Sequence, residues 1–412
     1  MFENIPKRWN IFSLNDLATI ITGNTPPKNH SEYYETEDIL WVKPSDLSEW
    51  NPWLWETEEK LSENARKVIR ILPVNSVLVS CIGTIGKIGI APVELATNQQ
   101  INSVIFNDKI INFKYGYYAF KYYKERLANL ASNAVVPIIN KTQFSTFKIP
   151  VPPTLEEQQE IVDVLDAASE IIRLRTACIE SAQDLIPALF QEMFGDLDCN
   201  NSYKKVLFGD IITVLTDYHA NGSYEKLKEH VTLLDNPDYA LMVRTTDLEK
   251  NNFIDNVKYI SQSAYEFLEK SKIYGGEIII NKIGSAGNVY LMPKLNRPVS
   301  LGMNAFLIRI DEKCANNIFI YNLLTSSYGK KIIQEKVSGA VTKTITKNSI
   351  RSLKLYLPPV EQQELFAEKA QEIEAYIKTQ QAELENAKQM FQSLLHHAFT
   401  GELTRKKYGG SK

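Results

Sequence analysis

The feature that most constrains this sequence is a long amphipathic helix pattern that occurs twice, at residues 157–194 and 361–399. In each copy, mostly apolar residues recur at alternating steps of four and three, the seam of a coiled coil. The first seam is Ile161, Leu165, Ala168, Ile172, Arg175, Ile179, Ala182, Ile186, Leu189 and Met193. The second lies 205 residues later, at Phe366, Ala370, Ile373, Ile377, Gln380, Leu384, Ala387, Phe391, Leu394 and Ala398. Because a lone seam cannot bury its own apolar stripe, each helix needs a partner, and the other copy is the economical one.

The two helices are expected to pair antiparallel about a pseudo-two-fold axis, with the midpoint of one beside the midpoint of the other. Arg175 and Gln380 then face each other as the polar pair of an otherwise apolar seam. Such a pair costs stability but fixes register and orientation. The residues expected to pair the helices are Arg175, Gln380, Ile172, Ile179, Ile377 and Leu384. A helix of about 38 residues is roughly 57 Å long, which predicts a rigid spacer.

The sequence before each helix is repeated as well. Residues 113–153 align without gaps on 319–359, which places Ala-Val-Val-Pro-Ile-Ile-Asn-Lys at 134–141 over Ala-Val-Thr-Lys-Thr-Ile-Thr-Lys at 340–347. Earlier matches pair Trp-Val-Lys-Pro-Ser-Asp-Leu at 41–47 with Met-Val-Arg-Thr-Thr-Asp-Leu at 242–248, Gly-Thr-Ile-Gly at 83–86 with Gly-Ser-Ala-Gly at 284–287, and Asn102 with Asn304. The chain is therefore interpreted as a tandem duplication of one module followed by a long helix.

The pattern inside each module predicts an α+β fold. Apolar runs that lead into glycine turns, and a second apolar run in each half, predict strands at 74–80, 276–281, 103–106 and 305–310. Stretches rich in Tyr and Lys predict helices at 113–130 and 317–337. Helix-spaced tyrosines of this kind can stack on bases, although they more often belong to a core.

Proline pairs at 152–153 and 358–359 mark the entry to each long helix, because proline bars an earlier helix start. Thr154 is expected to cap the first helix, with Glu157 completing a capping box. Gly195 is expected to end that helix, and Pro187 to kink it. The expected divisions are a first module at 1–153, a first helix at 154–195, a second module at 196–359 that opens on a polar linker at 196–203, a second helix at 360–403 and a tail at 404–412.

Composition excludes several classes of protein. The net charge of −3 argues against a generally basic protein, so a nucleic-acid ligand would need local positive patches or partner subunits. Neither a charged-then-apolar leader nor a membrane-length apolar run occurs, so a cytoplasmic location without membrane contact is expected. Four scattered cysteines (Cys81, Cys178, Cys199 and Cys314) form no CxxC pair, and there are only five histidines, so no metal site is expected.

The sequence carries no clear catalytic motif. It has no [DN]PP[YF] motif of an amino-methyltransferase, and the turn at 83–87 lacks the spacing of a P-loop. Pro-Ser-Asp at 44–46 followed by Glu-Glu-Lys at 58–60 matches a PD…ExK nuclease only loosely, and the second half does not repeat the Glu/Lys part. No catalytic residues are predicted.

The proline pairs lead into Glu-Gln-Gln-Glu at 157–160 and again at 361–364, and the helices end in Leu-Phe-Gln-Glu-Met-Phe-Gly-Asp at 189–196 and Leu-Leu-His-His-Ala-Phe-Thr-Gly-Glu-Leu at 394–403. This combination resembles the specificity (S) subunit of Type I restriction-modification systems, over the whole chain. The connection from the second proline of each pair to the Glu-Gln-Gln motif is two residues longer in the first copy (Pro153 to Glu157) than in the second (Pro359 to Glu361).

The resemblance implies two tandem target-recognition domains separated by two long antiparallel coiled-coil helices, without catalysis. It also implies assembly with two methyltransferase (modification) subunits and with restriction/translocase subunits. S-adenosylmethionine, ATP and Mg²⁺ would then bind to those partners only, and this chain would carry no cofactor.

The expected ligand is double-stranded DNA with a bipartite, asymmetric target, one half-site per module. Half-sites read from one face of the duplex lie about one turn apart, roughly 34–36 Å. Helix length would set the unread gap, so that four inserted residues would lengthen the spacer by ~6 Å. The alternative is a coiled-coil scaffold that binds protein without DNA readout.

The candidate DNA contacts are polar residues beside the repeated strand ends and glycine turns, because such side chains pair with base edges or phosphates. In the first module they are Lys43, Ser45, Lys87, Gln99, Gln100 and Lys141. In the second they are Arg244, Thr246, Lys282, Ser285, Asn288, Lys343 and Lys347.

Overall fold

The computed structural model describes residues 5–132, 135–195, 197 and 203–408, without the side chain of Lys406. Ala134, Cys199, most of the linker 196–203 and the end of the tail, 409–412, lie outside the described residues. The chain divides into two compact units. The first comprises Met1–Ile179 with Gln380–Lys412, and the second comprises Glu180–Thr379.

Within its described residues, the first unit contains three sheets. Its strands are β1 (Asn10–Ser13), β2 (Ala18–Thr22), β3 (Ile39–Val42), β4 (Lys60–Leu61), β5 (Val77–Ser80), β6 (Ile88–Ile90), β7 (Ala96–Thr97), β8 (Ile101–Phe106) and β9 (Lys148–Val151). The largest sheet is antiparallel in the order β2-β8-β5-β6. A second sheet, β4-β3-β7, pairs β3 with β7 in parallel, and β1 pairs with β9.

Short helices cover these sheets. They are α1 (Leu14–Leu17), α2 (Phe113–Tyr122), α3 (Lys124–Ala128) and α4 (Lys141–Ser145), with 3₁₀ turns at Ser31–Tyr33 and Glu63–Lys67. The helix expected at 113–130 is therefore two helices. Tyr115, Tyr117 and Tyr118 on α2 are buried in the main core of the unit, so they pack rather than stack on bases.

The first long helix is broken once. Helix α5 (Leu155–Gln183) is followed after Asp184 by α6 (Leu185–Phe194), so the long helix is interrupted at one residue, close to the kink predicted from Pro187. Pro187 lacks the N–H that would bond the carbonyl of Gln183 and its ring crowds that carbonyl, which accounts for the break. The predicted stop at Gly195 is confirmed by its φ of 65°.

The described part of the second unit contains ten strands. They are β10 (Lys204–Leu207), β11 (Ile212–Asp217), β12 (Ala240–Val243), β13 (Lys258–Ile260), β14 (Lys272–Ile273), β15 (Ile278–Asn281), β16 (Val289–Leu291), β17 (Val299–Leu301), β18 (Ala305–Ile310) and β19 (Lys354–Leu357). Its helices are α7 (Phe208–Ile211), α8 (Tyr224–His230), α9 (Thr245–Glu249), α10 (Gln262–Phe267), α11 (Asn317–Thr325), α12 (Ser327–Gln334) and α13 (Lys347–Arg351), with 3₁₀ turns at Tyr218–Asn221 and Glu269–Ser271. The long helix α14 (Val360–Phe399) and α15 (Arg405–Tyr408) end the described chain.

The sheets of the second unit repeat those of the first. The order β11-β18-β15-β16 matches β2-β8-β5-β6, and β13-β12-β17 matches β4-β3-β7 with β14 added at one edge. The parallel pair also recurs, as β12 with β17. The duplication inferred from sequence is thus a duplication of topology, and the expected α+β class is confirmed.

Within the first unit, α5 runs antiparallel to the end of α14. The beginning of α5 lies near the chain end, since Thr404 Oγ1 donates to Glu157 at 2.6 Å. Further along α5, Arg175 Nη1 donates to Gln380 Oε1 at 3.0 Å and pairs with Glu383. As residue numbers increase along α5, the residues of α14 and the following segment that lie beside it decrease in number, so the two run in opposite directions.

The residues expected to pair the helices lie as follows. Ile172 and Ile179 are buried in the first unit, and Leu384 packs against the core that contains Ile172. Ile377, in the second unit, is half-buried. There, the Phe190 and Phe194 rings lie 5.4 and 5.7 Å from the Phe366 ring, so the end of α6 packs beside the beginning of α14.

The contacts correct the register of the repeated Glu-Gln-Gln motif. The backbone N–H of Asn112 donates to Gln158 Oε1 at 2.8 Å, and that of Asn316 donates to Gln363 Oε1 at 3.0 Å. Gln158 therefore corresponds to Gln363, whereas matching letters had paired it with Gln362. The entry turns differ by one residue rather than two.

The capping box predicted at the start of α5 forms only in part. Thr154 Oγ1 accepts from the backbone N–H of Glu157 at 3.3 Å, as expected. The Glu157 carboxylate, whose side chain is 0% exposed, instead accepts from Arg8 Nη2 at 2.6 Å, Trp9 Nε1 at 3.3 Å and Thr404. It thereby joins segments from both ends of the sequence.

One half-buried lysine makes the stability of the first unit depend on pH. Lys121 Nζ lies 4.3 Å from the Trp50 ring centroid and donates to the carbonyl of Glu49. Burial lowers the pKa of Lys121 to about 8. Between that value and its ordinary pKa, the unfolded chain binds more protons than the folded chain, so the free energy of unfolding increases as pH rises through this window.

We expect Lys121→Met to remove this contribution, which is at most about 3 kcal/mol between pH 8 and 10.5. Urea unfolding of wild type and variant at several pH values measures it, with Lys109→Met, on an exposed turn, as the control. Equal pH slopes in the wild type and Lys121→Met would contradict the assignment.

Candidate nucleic-acid interface

Four separate segments of the first unit meet at one edge, which we call the first loop edge (residues 43–46, 83–87, 98–100 and 135–141). Lys87 Nζ donates to the carbonyl of Pro44 at 3.1 Å. Cys81 N donates to Gln100 O at 2.8 Å, and Gly83 N to Pro137 O at 3.0 Å. These bonds bring together the strand ends and turns singled out by the repeat.

The candidate residues on the first loop edge fall into two groups. Ser45, Gln99 and Lys141 are exposed. Three others are half-buried and engaged: Lys43 pairs with Glu59, Lys87 holds Pro44, and Gln100 Oε1 accepts from Asn98 Nδ2 at 2.9 Å. The first group is exposed to solvent, although Gln99 also accepts a hydrogen bond from Thr25 Oγ1, whereas the contacts of the second group shape the loops.

The second unit has a matching second loop edge (residues 244–249, 282–288, 302–304 and 338–347). Gly284 N donates to Lys343 O at 3.1 Å, and Lys282 N donates to Asn304 O at 2.7 Å. Ser285 Oγ donates to Glu249 Oε1 at 3.0 Å, which joins the glycine turn to α9. Thr246, Ser285, Asn288 and Lys343 are exposed there.

Glycine is required at the corresponding turn of both edges. Gly83 has a φ of 74° and Gly284 a φ of 79°, in the left-handed region that other residues adopt at a cost. A Cβ built on either glycine would have no atom of the protein within 4 Å. The backbone is therefore open at both turns, which would allow a phosphate to approach closely.

Three cationic candidates of the second edge are held by carboxylates. Arg244 Nη2 lies 2.6 Å from Asp247 Oδ1. Lys282 and Lys347 donate to the two oxygens of Asp217 at 3.0 and 3.1 Å. Burial opposes ionisation of Asp217, but the hydrogen bonds from the two lysines outweigh it and hold the pKa of that carboxyl below its ordinary value.

The two edges differ at this point. In the first half, the strand pairings place Thr22 and Cys81 where the second half has Asp217 and Lys282. Among the described residues, Lys141 therefore lacks the carboxylate that holds its counterpart Lys347. The two edges share a scaffold but not a charge arrangement, so they would present different surfaces to a ligand.

The sequence comparison missed one residue of this surface. Cys81 N bonds Gln100 O as Lys282 N bonds Asn304 O, so Asn304 corresponds to Gln100 and not, as the letters suggested, to Asn102. Asn304 is exposed, and its φ of 71° lies in the left-handed region. Aligning the ends of β8 and β18, instead of the asparagine letters, would have found it.

The loosely matched nuclease motif is a structural turn. The Asp46 carboxylate accepts from the backbone N–H groups of Lys43 at 2.7 Å and Glu58 at 3.1 Å, and Lys60 pairs with Glu37. Across the described ranges, no three His, Cys, Asp or Glu side chains group as metal ligands. The helices of the described chain also include none with the length and apolar character needed to cross a bilayer.

The fold defines a class of duplicated proteins whose two modules share one topology and carry similar but unequal loop edges. The family described as Type I restriction modification DNA specificity domain matches residues 6–182 and again 201–388. The chain belongs to this family of DNA sequence-recognition subunits.

Curated and solved relatives agree with this assignment. The chain is 29% identical to the Type I restriction enzyme MjaIX specificity subunit of Methanocaldococcus jannaschii, over 47% of this chain and 45% of that protein. It is 22% identical to the MjaVIII specificity subunit of the same organism, over 97% and 94% of the two chains. A Type I restriction-modification S subunit from M. genitalium shares the fold, with a TM-score of 0.58 and 17% identity over 97% of each chain.

Proposed function

We propose that this chain directs a Type I methyltransferase and restriction complex to a bipartite, asymmetric DNA target. The observation that carries the proposal is the pair of loop edges, built on one topology but with different side chains. Each module would read one half-site. Exposed polar groups such as Ser45, Gln99, Thr246 and Ser285 would contact base edges, and Lys141 and Lys343 would contact phosphates.

The antiparallel long helices would set the gap between the half-sites. Support comes from the Arg175–Gln380 hydrogen bond, a polar contact that fixes register within an otherwise apolar seam. The chain itself would be non-catalytic. Two modification subunits would supply methyl transfer with S-adenosylmethionine, restriction subunits would supply translocation and cleavage with ATP and Mg²⁺, and the complex would act in the cytoplasm.

The test is to map methylated sites in cells that express this chain with its methyltransferase partner. We expect a gapped target with two different halves. Ser45→Ala with Gln99→Ala should relax one half only, and Thr246→Ala with Ser285→Ala the other, each by roughly 10-fold since a good base contact contributes about 1–3 kcal/mol. If either pair altered both halves or neither, the assignment of one half-site to each module would fail.

The alternative is a scaffold that binds only protein, and a gel shift separates the two functions. With the methyltransferase partner present, the proposed reader should retain a duplex carrying the mapped site against random-sequence competitor. A protein-only scaffold would also assemble with the partner. Substitutions in its loop edges would then not change how strongly the complex prefers the mapped duplex over random-sequence DNA. Purified chain with S-adenosylmethionine should show no methyl transfer to DNA.

A further inference from the structure

Each loop edge carries a small finger of backbone. In the second unit the finger (residues 338–344) closes through Ser338 N to Thr344 O at 2.9 Å and Thr344 N to Ser338 O at 2.8 Å. The glycine turn supports it, since Gly284 N donates to Lys343 O and Ile345 N donates to Lys282 O, both at 3.1 Å.

The first unit builds the same support for its own finger, which includes residues 135–138. Gly83 N donates to Pro137 O at 3.0 Å, and Ile139 N donates to Cys81 O at 2.9 Å. Ser132 N also donates to Ile138 O at 3.1 Å. Both fingers are therefore held at a fixed place beside the exposed polar candidates of their edge.

A valine occupies the same place on both fingers and is fully exposed. Val135 is 105% exposed and Val341, its counterpart 206 residues later, is 98% exposed. A side chain so exposed contributes no burial to the folded chain. An exposed apolar residue is ordinary, and Val136 and Ile138 beside Val135 are exposed as well. Here, however, the valine recurs in both copies, whereas the two residues that follow it change from Val136 and Pro137 to Thr342 and Lys343.

The surroundings of these valines favour DNA over a protein partner. Lys343 lies on the second finger and Lys141 follows the first, so an exposed lysine is close in sequence to each valine, whereas Lys347 is paired with Asp217. Proteins that bend or open a duplex combine phosphate-binding cations with an apolar side chain placed in a groove.

We propose that Val135 and Val341 each enter a groove of the duplex and make the same apolar contact at both half-sites, an inference that rests on the proposed function. Because the two half-sites differ, an identical side chain cannot be what distinguishes them. The valines therefore supply a sequence-independent contact, while the differing polar residues around them read the bases.

The test uses the chain assembled with its methyltransferase partner and a duplex carrying a methylated site mapped in cells. Threonine is nearly isosteric with valine, so Val135→Thr with Val341→Thr should leave the exposed fingers folded. We expect binding to the mapped duplex and to random-sequence duplex to weaken together by about tenfold. The salt dependence should be unchanged because no charge is removed.

Two controls sharpen the result. Val74→Thr changes another exposed valine, which precedes β5 at the strand end opposite the glycine turn, and should not alter binding. Lys343→Gln should instead lower the slope of log affinity against log salt by about one, as expected for a lost phosphate contact.

Other outcomes overturn the inference in distinguishable ways. Unchanged DNA affinity in the double threonine variant would show that the valines do not contact the duplex. Loss of assembly with the methyltransferase would show that the fingers contact protein. If the wild-type complex bound mapped and random duplexes equally, the proposed function itself would fail, whatever the valine variants did.

Discussion

Inserting four helical residues beside Arg175 and four beside Gln380 is expected to lengthen the unread gap of the methylated target by about one to two base pairs. Four residues add ~6 Å of helix and rotate the remainder of the helix by roughly 40°. One base pair adds about 3.4 Å and roughly 35° of twist. Rotation therefore favours one added base pair and length favours two. Methylation of the original target should fall by at least about 100-fold.

The insertion keeps the helices paired, because a four-residue insertion is a stutter that locally unwinds a coiled coil without destroying its seam. The control is a four-residue insertion in the exposed turn beside Lys109, between β8 and α2, which should leave the gap unchanged. Mapping methylated sites in cells reads out both variants. An unchanged gap in the helix variant would disprove the proposal that helix length sets the distance between the half-sites.

The second large effect concerns the buried carboxylate at the start of α5. Glu157→Gln should destabilise the first unit by about 2–4 kcal/mol, because it removes the charge that pairs with Arg8 while keeping the shape of the side chain. The estimate is below that for a fully buried pair because the Arg8 side chain is 28% exposed. Urea unfolding of the full chain measures the effect.

The duplication supplies a matched control at the same helical position. Gln362 in α14 corresponds to Glu157 by the contacts of the neighbouring glutamines, yet it is exposed. Gln362→Ala should therefore change the free energy of unfolding by no more than about 0.5 kcal/mol. Comparable losses in the two variants would contradict the assignment, because loss of the ion pair would then not account for the effect of Glu157→Gln.

The large features of the fold could be predicted because they follow from the periodic spacing of apolar residues in the sequence. Apolar residues spaced along both long helices allowed their antiparallel pairing to be predicted, and Arg175 indeed lies beside Gln380. The register of the entry turns was harder to predict, because the two adjacent glutamines of Glu-Gln-Gln allow an alignment that is wrong by one position. Pro187 predicted a distortion of the first long helix. The position of the break, at Asp184, depends on the helical turn that precedes the proline.

The loop edges were only partly predictable. Repeated turns located the segments, and glycines at 83 and 284 marked positions that need a left-handed backbone. Which cations are free depends on contacts between residues far apart in sequence, such as Asp217 with Lys347. The exposure of Val341 could not be predicted, because the tertiary structure rather than the local sequence pattern decides whether a valine is buried.

The discontinuous first unit has a consequence for synthesis on the ribosome. Its core contains Ile161 and Ile172 from α5 together with Phe391 and Phe399 from the end of α14, so about half of the chain is translated between them. The second unit is continuous in sequence. Although domains usually fold in the order of their emergence, here the later-encoded unit should complete its core before the earlier one.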